Sequence, residues 1–275
     1  MRMLISFQFV NDMWDVIIEE MMKDKMDEHL RTLKGIADFE MEYLYCKNDN
    51  FEDFASGRVF YGGKGIPNFP VRLLNEIYGR AKSYLEKRKD IVIYDPCCGG
   101  GYTLTVLGFF HNRDIKKMYG SDIDGNMVMQ AKRNTVLLTN AGLKSRRDEI
   151  ERLYNEYRKS SHMDALDSCD TLKDMLEREI LVEIFRADCT RPLPQIMPDI
   201  IITDVPYGKL VEWDNEEQIS IDCMLEQLWM ISHDKTILAV CMDKKQKINC
   251  EKWKRLEKHN IGKRKFEILK KIDKI

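Results

Sequence analysis

The stretch Ile91-Val92-Ile93-Tyr94-Asp95-Pro96-Cys97-Cys98-Gly99-Gly100-Gly101 constrains this chain more than any other. A β-branched run ends in an acid, breaks at three glycines and restarts as the apolar segment Tyr102-Thr103-Leu104-Thr105-Val106-Leu107. Strand, tight turn and helix in that order set a ligand against the carboxyl end of a parallel strand. Glycine is needed where the backbone turns sharply and closes on a ligand, because a Cβ would intrude. Gly99 and Gly101 suit that role.

A dinucleotide fingerprint wants a third glycine three residues after Gly101, where this chain has Leu104, and no phosphate-loop Lys-Ser/Thr pair follows. The spacing acid-x-x-x-Gly-x-Gly suits S-adenosylmethionine instead. Its amino-acid end is zwitterionic, and backbone N–H groups together with one carboxylate can hold both charges. The plainer alternative is that three glycines merely close a tight turn. Later strand ends weigh against it. A second strand runs into Ser121-Asp122-Ile123-Asp124, with Asp122 27 residues after Asp95, near the offset at which an acid chelates ribose hydroxyls. Asp122 is the expected ribose ligand, with Ile123 beside it, and Asp124 the expected cap of a helix running to Thr139 with Met127, Ala131 and Leu138 on its inner face. A third strand over 180–186 ends at Ala187-Asp188-Cys189, from which Asp188 can reach an adenine amine.

The segment Asp199-Ile200-Ile201-Ile202-Thr203 reads as a fourth strand, and it runs into Asp204-Val205-Pro206-Tyr207-Gly208. An acid followed by x-Pro-Tyr-Gly resembles the Asp/Asn-Pro-Pro-Tyr motif of amino-methyltransferases acting on nucleobases. A base nitrogen has its lone pair delocalised into the ring. A carboxylate and a proline-held carbonyl that accept its hydrogens aim it at an electrophile, and Tyr207 can stack on the base.

Composition narrows the classes further. Among 275 residues, 44 basic against 46 acidic residues exclude a generally basic coat. The charge is uneven: residues 244–275 hold 13 Lys and Arg against 4 Asp and Glu, while residues 1–53 hold 6 against 13. That asymmetry suits a polyanion along one face, or simply solvated Lys-rich elements. Eight cysteines without a Cys-x-x-Cys pair or a Cys/His cluster read as free thiols, with no metal site. The apolar run near Leu4 to Val10 ends at Asn11-Asp12, too short for a signal peptide or a span, so the expected compartment is the cytoplasm.

Residues 1 to about 48 read as helical, with Trp14, Ile17, Ile18, Met21 and Met22 as an apolar stripe. A glycine-rich connector over 55–70 carries Arg58, Phe60, Tyr61 and Lys64, and suits either a plain linker or a loop closing on cofactor or RNA. A helix from Pro70 continues into Lys87-Arg88-Lys89. Residues 143–179 insert a charged helical stretch where a minimal α/β unit needs a short link: a solvated hairpin, or a substrate-docking appendage.

Taken together, Ala55-Ser56-Gly57-Arg58-Val59, Phe69-Pro70-Val71-Arg72-Leu73, Asp95-Pro96-Cys97-Cys98-Gly99-x-Gly101-Tyr102, Leu104-Thr105-Val106-Leu107-Gly108, Ser121-Asp122-Ile123-Asp124 and Thr203-Asp204-Val205-Pro206-Tyr207-Gly208 closely resemble the AviRa family, as does the tail Lys258-His259-Asn260-Ile261-Gly262-Lys263-Arg264. Members are S-adenosylmethionine-dependent methyltransferases associated with avilamycin resistance that modify a guanine of large-subunit ribosomal RNA. The resemblance runs from about residue 54 to the C-terminus and is weakest over 144–179. It implies a Rossmann-like class I methyltransferase, α/β with a seven-stranded mostly parallel sheet whose first and fourth strands are adjacent, an N-terminal helical extension over 1–53 and a methyltransferase domain over 54–275. It further implies that Asp95, Cys97, Gly99, Gly101, Asp122, Ile123 and Asp188 bind the cofactor. Asp204, Pro206 and Tyr207 would be catalytic, with Arg58, Tyr207 and Gly208 at the ribosomal RNA substrate and no metal. Val205 stands where the wider base-methylating motif has its first proline. The competing readings are a non-catalytic cofactor- or ribosome-binding module and an N-methyltransferase acting on DNA or protein.

Overall fold

A strand made of Ile91-Val92-Ile93-Tyr94 has no polar face, so it is stable only where helices cover both sides of it. In a computed structural model, which describes residues 41–62, 69–205 and 217–272, that strand lies inside the sheet, with a parallel neighbour on each side. The chain divides into two units, Met1–Glu42 and Tyr43–Ile275, and the whole sheet belongs to the second. Strands β1 (Ile91–Asp95), β2 (Ile115–Asp122), β3 (Leu181–Arg186), β4 (Ile200–Asp204), β5 (Ile237–Asp243), β6 (Trp253–Ile261) and β7 (Arg264–Lys271) form one sheet in the order β3-β2-β1-β4-β5-β7-β6. The first five are parallel; β7 runs antiparallel to β5 and β6 antiparallel to β7. The expected adjacency of the first and fourth strands holds, with Ile93 opposite Ile200 and Tyr94 opposite Ile201. A topological switch therefore falls at β1, where ligands bind open α/β sheets.

Among the described residues the helices are α1 (Val71–Ser83), α2 (Tyr102–His111), α3 (Gly125–Thr135), α4 (Asn140–Tyr157), α5 (Ser160–Met175) and α6 (Glu217–Met230). Pro70 is the N-cap of α1, but the helix stops at Ser83 and does not reach Lys87-Arg88-Lys89. The basic run is a turn that feeds β1, with Asp90 at φ 56°. Lys87 there pairs with Asp199 Oδ2 at 2.6 Å, the same oxygen that accepts the Val92 N–H at 2.7 Å. Asp124 caps α3 by accepting the Asn126 N–H at 2.8 Å, as expected, and α3 gives way at Thr135 to a single 3-10 turn over Val136–Leu138. Ala131 and Leu138 are buried, while Val128 takes the inward position expected of Met127.

The inserted stretch is a helical hairpin, α4 and α5, joined through Arg158 in a left-handed conformation. It is not simply solvated. Leu143 and Ile150 of α4 and Ala165, Cys169 and Leu172 of α5 are buried, and the hairpin grips the segment that precedes α1. Arg146 Nε donates to the Val59 carbonyl at 2.8 Å, and Ser168 Oγ to Asp53 Oδ1 at 2.6 Å.

Residues 41–50 are irregular where a helix was expected, and the N–H groups explain why. Those of Leu44, Tyr45 and Cys46 donate to the carboxylate of the fully buried Glu76 on α1 at 3.0, 2.7 and 3.1 Å, and so cannot pair along a helix. The rest of that expectation, residues 1–40, lies outside the described residues. All eight cysteines are free thiols. Among the described residues no helix is long and apolar enough to cross a membrane.

Gly99 and Gly101 both adopt left-handed φ, 50° and 77°, but in different surroundings. A Cβ on Gly99 meets nothing within 4 Å, whereas one on Gly101 falls 2.9 Å from the Ala131 Cα of α3. Gly101→Ala should therefore cost about 2 to 4 kcal/mol of stability and Gly99→Ala only about 1 kcal/mol. Chemical denaturation checks this, and equal losses would contradict it.

Candidate active site

The parallel order β2-β1-β4 brings three strand-terminal acids, Asp95, Asp122 and Asp204, to one edge of the sheet. The loop after β1 is stitched there by its own N–H groups. That of Cys97 donates to Asp95 Oδ1 at 3.1 Å, that of Cys98 to the Ser121 carbonyl at 2.9 Å, that of Gly99 to Asp122 Oδ2 at 2.9 Å, and that of Gly101 back to the Cys98 carbonyl at 2.8 Å. The other oxygen of Asp122 accepts the Asp124 N–H at 2.9 Å, so this side chain shapes two turns at once. Ile123 follows it, 60 % exposed, at the mouth of the edge.

Asp188 joins the edge from the end of β3. Its Oδ1 accepts from the Thr190 N–H at 2.9 Å and hydroxyl at 2.7 Å, and its other oxygen lies 3.8 Å from Arg191 Nε. Cys97 and Cys189, each just past a strand-end acid, bring their sulfurs to 3.6 Å, so the β1 and β3 loops touch directly. The adjoining thiol and burial push the Cys97 pKa up, leaving it a thiol.

Asp204 closes β4, and its two carboxylate oxygens differ. Oδ2 lies 3.0 Å from Arg264 Nη1, whereas Oδ1 is buried and has no hydrogen-bond partner among the described residues. Burial outweighs the pull of Arg264 and of the weakly donating Cys241 thiol, and raises the Asp204 pKa to about 6. Asp95 is more extreme: burial, reinforced by the charges of Asp122 and Asp204, raises it to about 7 against the opposing Cys97 N–H bond. Asp204 also lines a narrow cleft with Phe69, Thr103, Thr203 and Cys241. Val205 is buried in the core, and its N–H donates to the Cys241 carbonyl at 2.9 Å. A proline has no N–H to give, which explains why the first proline of the wider motif is missing here.

Pro206, Tyr207 and Gly208 lie outside the described residues. Arg58 is described but stands apart from the acid edge. Its guanidinium lies 3.5 Å from Ser168 Oγ on α5 and 3.9 Å from Asp53. Reading the sequence missed Arg264 and Phe69 as neighbours of Asp204. Arg264 is 60 residues away in the chain, and only the pairing of β7 with β5, in the register Asp243 to Arg264, carries it there.

The site fits a small cationic ligand. Three acids share an edge, two are pushed toward neutrality, and among the described residues nothing fills the space above Gly99. Among the described residues no group of His, Cys, Asp and Glu is arranged to hold a metal ion. A dinucleotide-binding sheet would end in a sixth parallel strand; here β7 enters antiparallel between β5 and β6. That order, with a glycine loop after β1 and an acid closing β4, defines the class as a Rossmann-like methyltransferase.

Within the class, the chain belongs to the AviRa rRNA methyltransferase family, whose sequence model matches residues 41–264. It is 32 % identical over 231 residues to the 23S rRNA (guanine(2535)-N(1))-methyltransferase of Streptomyces viridochromogenes, covering 80 % of this chain and 92 % of that one. Two crystal structures of the rRNA methyltransferase AviRa from the same organism, at 1.5 and 2.4 Å, superpose with TM-scores of 0.76 and 0.75 at 31 % identity, over 84 % of this chain and 96 % of theirs.

The raised Asp95 pKa sets a stability trend. Below its ordinary value of 3.8 the carboxyl is neutral in both folded and unfolded chains. Between there and about 7 the unfolded chain carries a charge that the fold resists, so this group's contribution to stability is lost as pH rises through that window. Asp95→Asn removes the titration. Thermal melts near pH 5 and near pH 8 should show the variant gaining on the wild type by several degrees at the higher pH; a gap that ignores pH would contradict the assignment.

Proposed function

We propose that this protein is an S-adenosylmethionine-dependent methyltransferase that methylates N1 of a guanine in large-subunit ribosomal RNA, acting in the cytoplasm. The observation that carries the chemical reading is the divided carboxylate of Asp204. One oxygen is held by Arg264, and the other is buried and, among the described residues, unpartnered, on the strand beside the one that feeds the glycine loop. A buried, unbonded carboxylate oxygen is costly, and a ring N–H presented to it removes the cost.

When bound, S-adenosylmethionine supplies an electrophilic methyl on a sulfonium. Asp95 and the loop over Gly99 and Gly101 would hold its charged methionine end, Asp122 and Ile123 its ribose, and Asp188 its adenine, with Cys97 in the loop wall. Asp204 accepts the N1–H of guanine. Asp204 Oδ1 would take the N1 proton as the base nitrogen accepts the methyl, so the charge lost by the donor would be matched by the charge lost by the carboxylate. A carboxylate whose pKa lies near 6 is a usable base at neutral pH. Pro206 stiffens the loop and Tyr207 stacks on the base, with Gly208 and Arg58 toward the RNA.

Asp204→Ala should keep cofactor affinity and lower methyl transfer to a large-subunit rRNA transcript by about 10²-fold or more, while Asp122→Ala should weaken cofactor binding itself. Calorimetry and tritium transfer separate the two. A wild-type protein that binds rRNA without methylating it would support a binding module instead, and label appearing only in DNA or protein would support a different substrate. Arg264 lowers the Asp204 pKa, so Arg264→Gln should move the acidic limb of the kcat/KM profile to higher pH. Activity near pH 6 should then fall on the order of tenfold; an unmoved limb would remove Arg264 from the mechanism.

A further inference from the structure

The recess between α3, α4 and the segment before α1 has a volume of about 450 Å³ and contains none of the strand-end acids. We infer that it is a docking point for a backbone phosphate of the substrate RNA together with the nucleotide attached to that phosphate. The inference rests on the RNA-methylating function proposed for the acid edge.

Tyr61 is the floor of the recess and is held on every side. Its N–H donates to Asn134 Oδ1 at 2.7 Å, its carbonyl accepts from Asn134 Nδ2 and Gln130 Nε2 at 3.0 Å each, and its hydroxyl donates to Glu149 at 2.8 Å. Two guanidinium groups lie over its ring, Arg133 with its central carbon 3.8 Å from the centroid and Arg146 at 4.2 Å. Stacking of this kind fixes the plane of a guanidinium and leaves its edge donors available.

The charges of the two arginines are treated differently. Arg146 is buried and pairs with Glu149 at 3.0 Å. Two other arginines near the recess are also paired, Arg58 with Asp53 and Arg147 with Asp170. Arg133 is exposed, and among the described residues no carboxylate lies within ion-pair distance of it. Glu149 is close enough to be influenced by its charge, but the Glu149 Oε2 is already engaged by Arg146 and Tyr61. A preorganised guanidinium facing solvent without its own counter-ion is suited to a phosphate.

The rest of the lining suits a nucleotide more than a bare anion. Met129, one helical turn before Arg133, is 60 % exposed and offers an apolar, polarizable surface to a ribose or base. Asn126, at the start of α3, adds a side-chain amide to the lining. RNA is favoured over an acidic peptide by position. The Asn134 side chain that clasps Tyr61 also donates to the Gly100 carbonyl at 2.8 Å, so whatever occupies the recess lies one side chain from the cofactor loop.

The test uses the full chain, an in vitro transcript of large-subunit rRNA, and binding measured over a salt series. Arg133→Ala should weaken RNA binding on the order of tenfold near physiological salt and flatten the log K against log salt slope by about 0.7 to 0.9. Arg133→Glu should weaken it further. KM for RNA should rise by a similar factor, with cofactor affinity and melting temperature at wild-type values. Unchanged RNA affinity and slope in both variants would overturn the inference, as would weakened binding of an acidic peptide with RNA binding intact. Failure of the wild type to methylate any RNA would instead strike the functional reading, which keeps the two failures distinct.

Discussion

The central constraint on this protein is the convergence of like charges at one edge of a parallel sheet. Because β1 is flanked by β2 and β4 in the same direction, Asp95, Asp122 and Asp204 must end together. No arrangement of helices can separate them. Two of the three are pushed toward neutrality, Asp95 chiefly by burial and Asp204 by burial against the pull of Arg264. Such an edge is electrostatically incomplete until something cationic joins it, which is a sound basis for holding a sulfonium donor.

Much of the remaining structure holds that edge in place. The glycine loop is bonded on one side to the Ser121 carbonyl and Asp122 carboxylate of β2, and on the other to Asn134 of α3. Asn134 in turn fixes the backbone of Tyr61, while the helical hairpin fixes Val59 and Asp53. A chain of short polar contacts thus runs from the inserted hairpin, through the segment before α1, to the glycine loop. On the other flank, the β6–β7 hairpin sends Arg264 to Asp204. Both additions to a minimal α/β unit are thus tied by polar contacts to the same edge of the sheet.

Several features were legible in the residues before any coordinates. The order of strand ends, the loop glycines and the cap at Asp124 follow from local rules, because a β-branched run, a positive φ or a capped turn depends mainly on near neighbours. Other expectations failed for equally physical reasons. Nothing between residues 41 and 48 announces that three of its N–H groups will be claimed by Glu76, some 30 positions away, and α1 gives no local sign that it must end before a basic run that looks like a helix end. Val205 reads as a departure from a motif until its N–H is found bonded to the neighbouring strand.

The sequence by itself determined where the strand-end acids and the loop glycines fall and in what order they arrive, because acids at strand ends and glycines in a turn are local signals. Tertiary structure alone decided the electrical state of Asp95 and Asp204, the partnership of Asp204 with Arg264, and the exposure of Arg133 beside a paired Arg146. Those properties depend on burial and on groups brought close across the fold, and neither quantity can be read from distance along a chain.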